Sequence, residues 1–289
     1  MFRILALLLL PVICLAQVNS NGEKPTGELL SNEIAPNDMK RNASFNVEEI
    51  KVRWKKAALE NCTGVPCVTT PVFTCGTSTV SDIDDNAYNT VVIGNQCWTQ
   101  SNLKVRRYND GTLIPDLTTS TSNPWATSGA RSEYVVSGVP YSGYVETYGY
   151  LYNRHAVADS RKLCPTGWHV PTDGEWTSLI QFIDPSASSA GLSTQSITAG
   201  GKLKSTTLWN AASPPSPGTD NYSFSALPGG MRANFGLCFS LTEQAYFWTS
   251  TEFLPGSPLI FLLSHNNIDV KKETSLGADY GYSVRCLKD

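Results

Sequence analysis

The chain has 289 residues, of which 41% are hydrophobic, and carries 22 basic against 25 acidic side chains for a formal net charge of −3. A balance this close to neutral, with no basic stripe, excludes the electrostatic footprint needed for nucleic acid or an anionic membrane surface. The hydrophobic fraction is that of a globular chain with a core, and the length admits two domains or one large β-rich one.

Residues 1–16 have the layout of an export signal. Arg3 supplies the positive end, an apolar run extends from Ile4 to Ile13, and Cys14-Leu15-Ala16 makes a small-residue cleavage site before Gln17. The run is too short to span a bilayer, and no later run is longer, so no membrane insertion is expected after the signal is removed. A lipid-anchored Cys14 is the competing reading. Ile13 is larger than the residue such signals place before the cysteine, so cleavage after Ala16 and a secreted or envelope-associated product are preferred. Loss of Arg3 leaves 21 basic against 25 acidic residues, a net charge of −4.

Residues 17–45 are polar and aperiodic and read as a flexible leader. Over 46–61 the pattern changes to an amphipathic helix. Asn46 and Glu49 form a capping box, Val47, Ile50, Trp54, Ala57 and Ala58 share one face, and Lys51, Arg53, Lys55 and Lys56 lie mostly on the solvated side. Residues 62–74 connect this helix to a β-rich body. There, residues 80–93 predict a hairpin with its turn near Asp85-Asn86. Asp82, Asp84 and Asn86 imitate the start of a calcium loop, but Ala87 and Ile93 stand where such a loop needs Gly and a bidentate Glu, so a turn is expected and no metal. Segments 106–160, 184–199 and 210–221 read as loops and short strands displayed on a compact body. Asn42, Asn61 and Asn221 begin Asn-x-Ser/Thr triplets, which matter only in a host that glycosylates exported proteins.

The densest stretch is "KLCPTGWHVPTDGEWTSLI", residues 162–180. Cys164-Pro165-Thr166-Gly167 predicts a turn and Trp168-His169-Val170 a short strand. Thr172 and Glu175 predict a capping box, and Trp176, Leu179, Ile180 and Ile183 an apolar helical stripe ended at Asp184-Pro185. Helix initiation thus accounts for Asp173 and Glu175 without chemistry. A Cys164–His169 nucleophile–base pair is the alternative, but it requires a free thiolate in an exported chain that has seven cysteines after signal removal. No paired Cys-x-x-Cys spacing points to zinc.

Seven motifs occur in fixed order: "TVVIGNQCWTQSNL" (90–103), "YGYLYN" (148–153), "LCPTGWHVPTDGEW" (163–176), "AGGKLKSTTLWN" (199–210), "FSALPGGMR" (224–232), "FWTSTE" (247–252) and "GYSVRCL" (281–287). Together they resemble the Fibrobacter succinogenes major paralogous domain, a family of secreted or surface-associated bacterial domains, over residues 75–289. A more distant likeness, in "VPTDGEW", the Gly-Gly-x-Arg turn and the closing Gly-x-x-x-Arg strand, is to formylglycine-generating sulfatase-modifying domains. That likeness implies an α+β, C-type-lectin-like fold with two helices, small antiparallel sheets and long loops, stapled by disulfides. The copper-binding cysteine pair of those enzymes has no counterpart, since Cys238 stands alone and Cys286 lies in the terminal strand. The calcium motifs of sugar-binding lectins are missing too.

The preferred pairings are Cys75–Cys97 and Cys164–Cys286, worth roughly 3 and 5 kcal/mol in a chain-entropy account, with Cys62–Cys67 closing a small loop and Cys238 left over. Other connectivities remain open. Trp98, Trp168, Trp176, Trp248 and Arg285 read as framework, with Glu252 a candidate ion-pair partner for Arg285. The expectation is a non-enzymatic envelope or extracellular domain without cofactor that binds a glycan or protein ligand or serves in surface assembly. Trp125, Tyr141, Tyr144, Trp209 and Tyr222 are its candidate aromatic contacts, with ordinary packing as the competing role for each. A copper- or thiol-dependent enzyme using Cys238, and a purely structural module, are the alternatives.

Overall fold

The computed structural model describes residues 72–120, 127–213 and 215–289. The expected signal, leader and helix 46–61, together with Cys62, Cys67 and Trp125, lie outside them. In chain order the first elements are strands β1 (Thr79–Ser81), β2 (Ala87–Ile93), β3 (Gln96–Thr99), β4 (Arg131–Ser132), β5 (Val135–Val136) and β6 (Val139–Pro140). Next come helix α1 (Tyr144–Tyr148), β7 (Leu151–Tyr152), helix α2 (Arg154–Val157), β8 (Trp168–His169), helix α3 (Asp173–Ile183), β9 (Ser193–Ser196) and helix α4 (Ala199–Leu203). The last are β10 (Met231–Arg232), β11 (Cys238–Phe239), β12 (Gln244–Leu254), β13 (Ser257–Ser264), β14 (Val270–Thr274) and β15 (Leu287–Lys288). The class is α+β, built of small antiparallel sheets. Among the described residues α3, with 11 residues, is the one long helix, and the others have four or five.

The expected hairpin forms from β1 and β2, with Thr79 opposite Asn89. One carboxylate organises its turn. Asp82 accepts from the backbone N–H groups of Asp84 and Asn86, from Asn86 Nδ2 and from the Tyr88 hydroxyl, at 2.5–3.1 Å. Asp84 accepts from the Arg106 backbone N–H at 2.5 Å and lies 3.4 Å from Arg107. The residues that imitate calcium ligands are therefore already partnered by protein donors, as an Asx-type turn requires.

Strands β1, β2, β3, β15 and β8 line up in that order in a five-stranded sheet, so the last strand sits inside it, with Leu287 opposite both Trp98 and His169. Both expected staples reinforce this closure. Cys75–Cys97 ties the entry to the hairpin, and Cys164–Cys286 ties the turn before β8 to the residue before β15.

The second sheet has the order β12-β13-β14-β9 and forms a wall between two cores. Alternate side chains of β12 and β13 serve opposite clusters: Ala245, Phe247, Phe261 and Leu263 join one, and Tyr246, Trp248, Ile260 and Leu262 the other. A sheet buried on both faces explains why residues 259–263 read as an unbroken apolar run rather than an alternation. On one side, Trp176 of α3 packs with ring centroids 5.0 Å from Trp98, 5.4 Å from Phe247 and 5.1 Å from Phe261. The capping box of Thr172 and Glu175 is present, and Trp176, Leu179, Ile180 and Ile183 are buried as the stripe predicted. Each such burial contributes roughly 1.5–3 kcal/mol before entropy is counted. Residues Phe73–Asp289 form one compact unit, and among the described residues no helix is long and apolar enough to cross a membrane.

Candidate functional site

In the stretch 162–180 the polar groups turn inward on one another. His169 lies between two carboxylates, its Nδ1 2.6 Å from Asp289 and its Nε2 3.0 Å and 3.1 Å from the two oxygens of Glu175. Glu175 also accepts from the Thr172 backbone N–H and hydroxyl, each at 2.8 Å. Burial acts to raise the Glu175 carboxyl, and these bonds from Thr172 and His169 outweigh it, so the group sits below the usual carboxylate range. Both ring nitrogens of His169 face protein oxygens, and Cys164 is in a disulfide. The nucleophile–base pairing of Cys164 with His169 is therefore ruled out, because a cross-linked sulfur has no thiolate to offer. A shallow cleft of about 380 Å³ beside the cluster is lined by Asn95, Gln96, Glu175, Ser178, Lys288 and Asp289.

The motif cations are buried as well, and their partners are mostly backbone carbonyls. Arg285 is fully buried. Its Nε donates to Asn102 Oδ1 at 2.6 Å, and its terminal nitrogens donate to the carbonyls of Thr99, Phe224 and Ser225 at 2.7–3.0 Å. Glu252 is not its partner, which corrects the expected ion pair: that carboxylate lies 3.5 Å from Arg154, which also donates to the carbonyls of Thr249 and Ser250. Lys204, also fully buried, donates to the carbonyls of Ser216, Ser264 and Asn267 at 2.7–3.0 Å, and burial pulls its pKa down to about 8. Arg232 holds the carbonyls of Leu117, Ser120 and Ala233. Such cations pin irregular loops by giving their carbonyls charged donors.

The candidate aromatic contacts divide. Tyr144 is fully buried in α1, donates its hydroxyl to the Gly229 carbonyl at 2.7 Å and stacks on Tyr148, so its ring is packing rather than a surface contact. Trp209 is half-buried, with Nε1 donating to the Ala226 carbonyl at 3.1 Å and the Lys204 ammonium 5.1 Å from its ring. Tyr222 is half-buried against Phe182. Both pack on the Trp176 core. Tyr141 alone of the described four is well exposed, at 46%.

Tyr141 belongs to a larger face. Residues 134–145 (YVVSGVPYSGYV) and 233–242 (ANFGLCFSLT) contain no charged side chain, in a chain that is 16% charged. The first segment forms the β5–β6 hairpin across Ser137 and Gly138, both at positive φ as a primed turn demands, and exposes Val136, Val139 and Tyr141. The second forms the β10–β11 hairpin, which exposes Phe235 and Leu237 in its turn and Phe239 on β11, at 39–53%. The two meet where the Leu241 N–H donates to the Tyr134 hydroxyl at 3.5 Å and Cys238 Sγ lies 4.0 Å from the Glu133 carbonyl. Beneath them Tyr134, Tyr144, Tyr148 and Leu151 form a small core on which Cys238 and Leu241 pack. Both hairpins thus expose apolar side chains beside a firmly packed base. The sequence reading missed Phe235, Leu237, Phe239, Val136 and Val139; the lack of charge over both segments is the signal that points to them.

Cys238 is the one described cysteine outside a disulfide. Burial pushes its thiol pKa up, outweighing the Val135 backbone and Arg232, so it is a poorer thiolate than a free cysteine. A second shallow cleft of about 360 Å³ is lined by Glu243, Gln244, Ser264, His265, Asn266, Asn267 and Lys271, three of them amides and one a hydroxyl.

Comparison with family models matches residues 91–288 to the Fibrobacter succinogenes major domain. No curated protein and no solved structure matches the chain.

Proposed function

The chain belongs to the Fibrobacter succinogenes major domain family, and from that premise we propose that it is an exported, non-enzymatic binding module of the bacterial envelope or exterior that takes a protein ligand on the paired-hairpin face. One observation carries the reading: two uncharged segments that meet over a packed tyrosine base expose six apolar side chains between them. The centres of protein interfaces are depleted in charge and enriched in aromatic residues in the same way. Two disulfides in the described residues favour an oxidising compartment. The C-type-lectin-like architecture is supported by the small sheets, the single long helix and the closing strand inside the first sheet. A non-enzymatic role is supported by the engaged nitrogens of His169, the cross-linked Cys164 and the raised pKa of Cys238, which disfavours a reactive thiol.

The cleft lined by Gln244, Ser264, Asn266 and Asn267 favours a second reading, a glycan site, because amide and hydroxyl groups match sugar hydroxyls. One paired experiment separates the two. Immobilised protein and a Phe235→Ser/Phe239→Ser variant are exposed to an envelope protein fraction and to a glycan array. The protein-ligand reading requires a retained protein that the variant fails to hold. A glycan signal abolished by Asn267→Ala and untouched by the phenylalanine changes replaces it with the second reading.

A further inference from the structure

The charged side chains that border the two uncharged segments are mainly acidic: Glu133 and Glu146 flank the first, and Glu243, which lines a cleft with His265 and Lys271, closes the second. The residue at the other end of the second segment, Arg232, is fully buried and directed at the carbonyls of Leu117 and Ser120, so it presents no exposed cation at the rim, although Cys238 beneath the face feels its charge. Arg131 is likewise buried, 2.8 Å from Asp116 and over the ring of Tyr150. Burial, then Asp116 and Glu146, push the Glu133 carboxyl above its usual range against the opposing charge of Arg131. Glu243 acts in the same sense on Tyr134 at the base of the face.

An apolar centre with an acidic border selects its occupant. A second copy using the same face would set Glu133, Glu146 and Glu243 against their own equivalents, because a twofold contact pairs each patch with itself. An anionic lipid surface would meet the same repulsion. Resting on the binding-module reading, we infer that the occupant is a polypeptide segment with apolar or aromatic anchors flanked by Lys or Arg. The anchors settle among Val136, Val139, Tyr141, Phe235, Leu237 and Phe239, and the flanking cations meet the three glutamates.

The test uses phage-displayed random dodecapeptides selected on the intact protein, with the Phe235→Ser/Phe239→Ser variant as counter-target. Enriched peptides are then synthesised and titrated by fluorescence anisotropy. The expected winners combine aromatic or aliphatic anchors with flanking Lys or Arg. Their affinity falls roughly tenfold or more on Phe235→Ser/Phe239→Ser, as for a central hot spot. It falls by a smaller factor on Glu133→Gln/Glu146→Gln/Glu243→Gln, and in the parent it weakens as salt rises to about 0.5 M. Near-ultraviolet circular dichroism confirms that both variants are folded, and Val136→Ser/Tyr141→Ser is a second probe of the same face. Winners with acidic flanks, or a triple glutamine variant with unchanged affinity and salt response, overturn the charge assignment and leave the face as a binding site. No enrichment over the counter-target overturns the face itself, and a dimer in sedimentation that Phe235→Ser/Phe239→Ser abolishes makes a second copy the occupant.

Discussion

The surroundings of Arg285 and the paired-hairpin face invert the ordinary distribution of side chains in opposite directions. Around Arg285 a full charge is buried in the aromatic core with Phe224 and Phe247, held by one amide oxygen and three carbonyls. On the hairpins, apolar side chains stand in solvent with no charge among them. The contrast separates a region built for stability from one whose side chains the fold leaves uncovered. Irregular loops leave carbonyls that no strand satisfies, and a buried cation is the densest donor available to collect them. An exposed apolar face contributes little to folding, and on the proposed reading a partner accounts for it.

The largest effect expected on the first region comes from the staple that closes it. Cys164→Ser/Cys286→Ser opens a loop with a sequence separation of 122 residues and is expected to cost roughly 5 kcal/mol by chain entropy. For Cys75→Ser/Cys97→Ser, with a separation of 22, the same account gives roughly 3 kcal/mol. Guanidinium titration of the two variants checks the order, and equal losses would show that strain or residual structure, rather than loop length, sets the contribution. Next comes Arg285→Met. It keeps volume but strands the acceptors on Asn102, Thr99, Phe224 and Ser225, with an expected loss of about 3–4 kcal/mol. Glu252→Gln touches the partly exposed pair with Arg154 instead and is expected to change stability by about 1 kcal/mol or less. A large loss from Glu252→Gln would show that the pair with Arg154 contributes like a buried one.

What was legible follows from how local each cause is. The Thr172–Glu175 box, the Trp176–Ile183 stripe and the β1–β2 hairpin are written within a few residues, and each is found where the pattern places it. The Cys164–Cys286 pairing, preferred in the sequence among connectivities left open, is found despite its separation; oxidation narrowed the partner to another sulfur without selecting which one. The partners of Arg285, Lys204 and Arg232 were not readable, since every residue carries a carbonyl and nothing in the side-chain code marks those that irregular loops leave unsatisfied. Tyr144 misled for a related reason: it follows Gly143 in a Ser/Gly-rich segment that reads as loop, yet Gly143 at positive φ starts α1 and turns the ring inward. The hairpin face went unseen because apolar residues in short strands look alike whether they point in or out. Charge depletion over two segments nearly a hundred residues apart becomes a pattern only when the fold brings them together.

A smaller test concerns acid. Asp184 caps α3 at its C-terminal end, accepting from the Ser186 hydroxyl and backbone N–H and from the hydroxyls of Ser196 and Thr198. Those bonds, the Ser186 hydroxyl first, lower its pKa to about 2 from an ordinary 3.8. A carboxyl lowered on folding stabilises the native state fully above its unfolded pKa and loses that contribution as pH falls through the folded value. Asp184→Asn is therefore expected to flatten the decline in stability between about pH 4 and pH 2, by about 1 kcal/mol or less because the group is near solvent. Thermal melts across that window check it; parallel curves would show that the carboxylate is not linked to folding.

A small expected effect is the most informative about the second region. Phe235→Ser/Phe239→Ser removes two rings with centroids 6.1 Å apart that are 53% and 39% exposed, so the variant is expected to lose about 1 kcal/mol or less per site. Trp176→Ala in the core is expected to cost about 3–5 kcal/mol. If the double serine variant melts like Trp176→Ala, the rings belong to the fold and the hairpins are a third core poorly covered. If its stability is kept while binding is lost, the rings are carried at no benefit to the free domain, and the partner is what explains them.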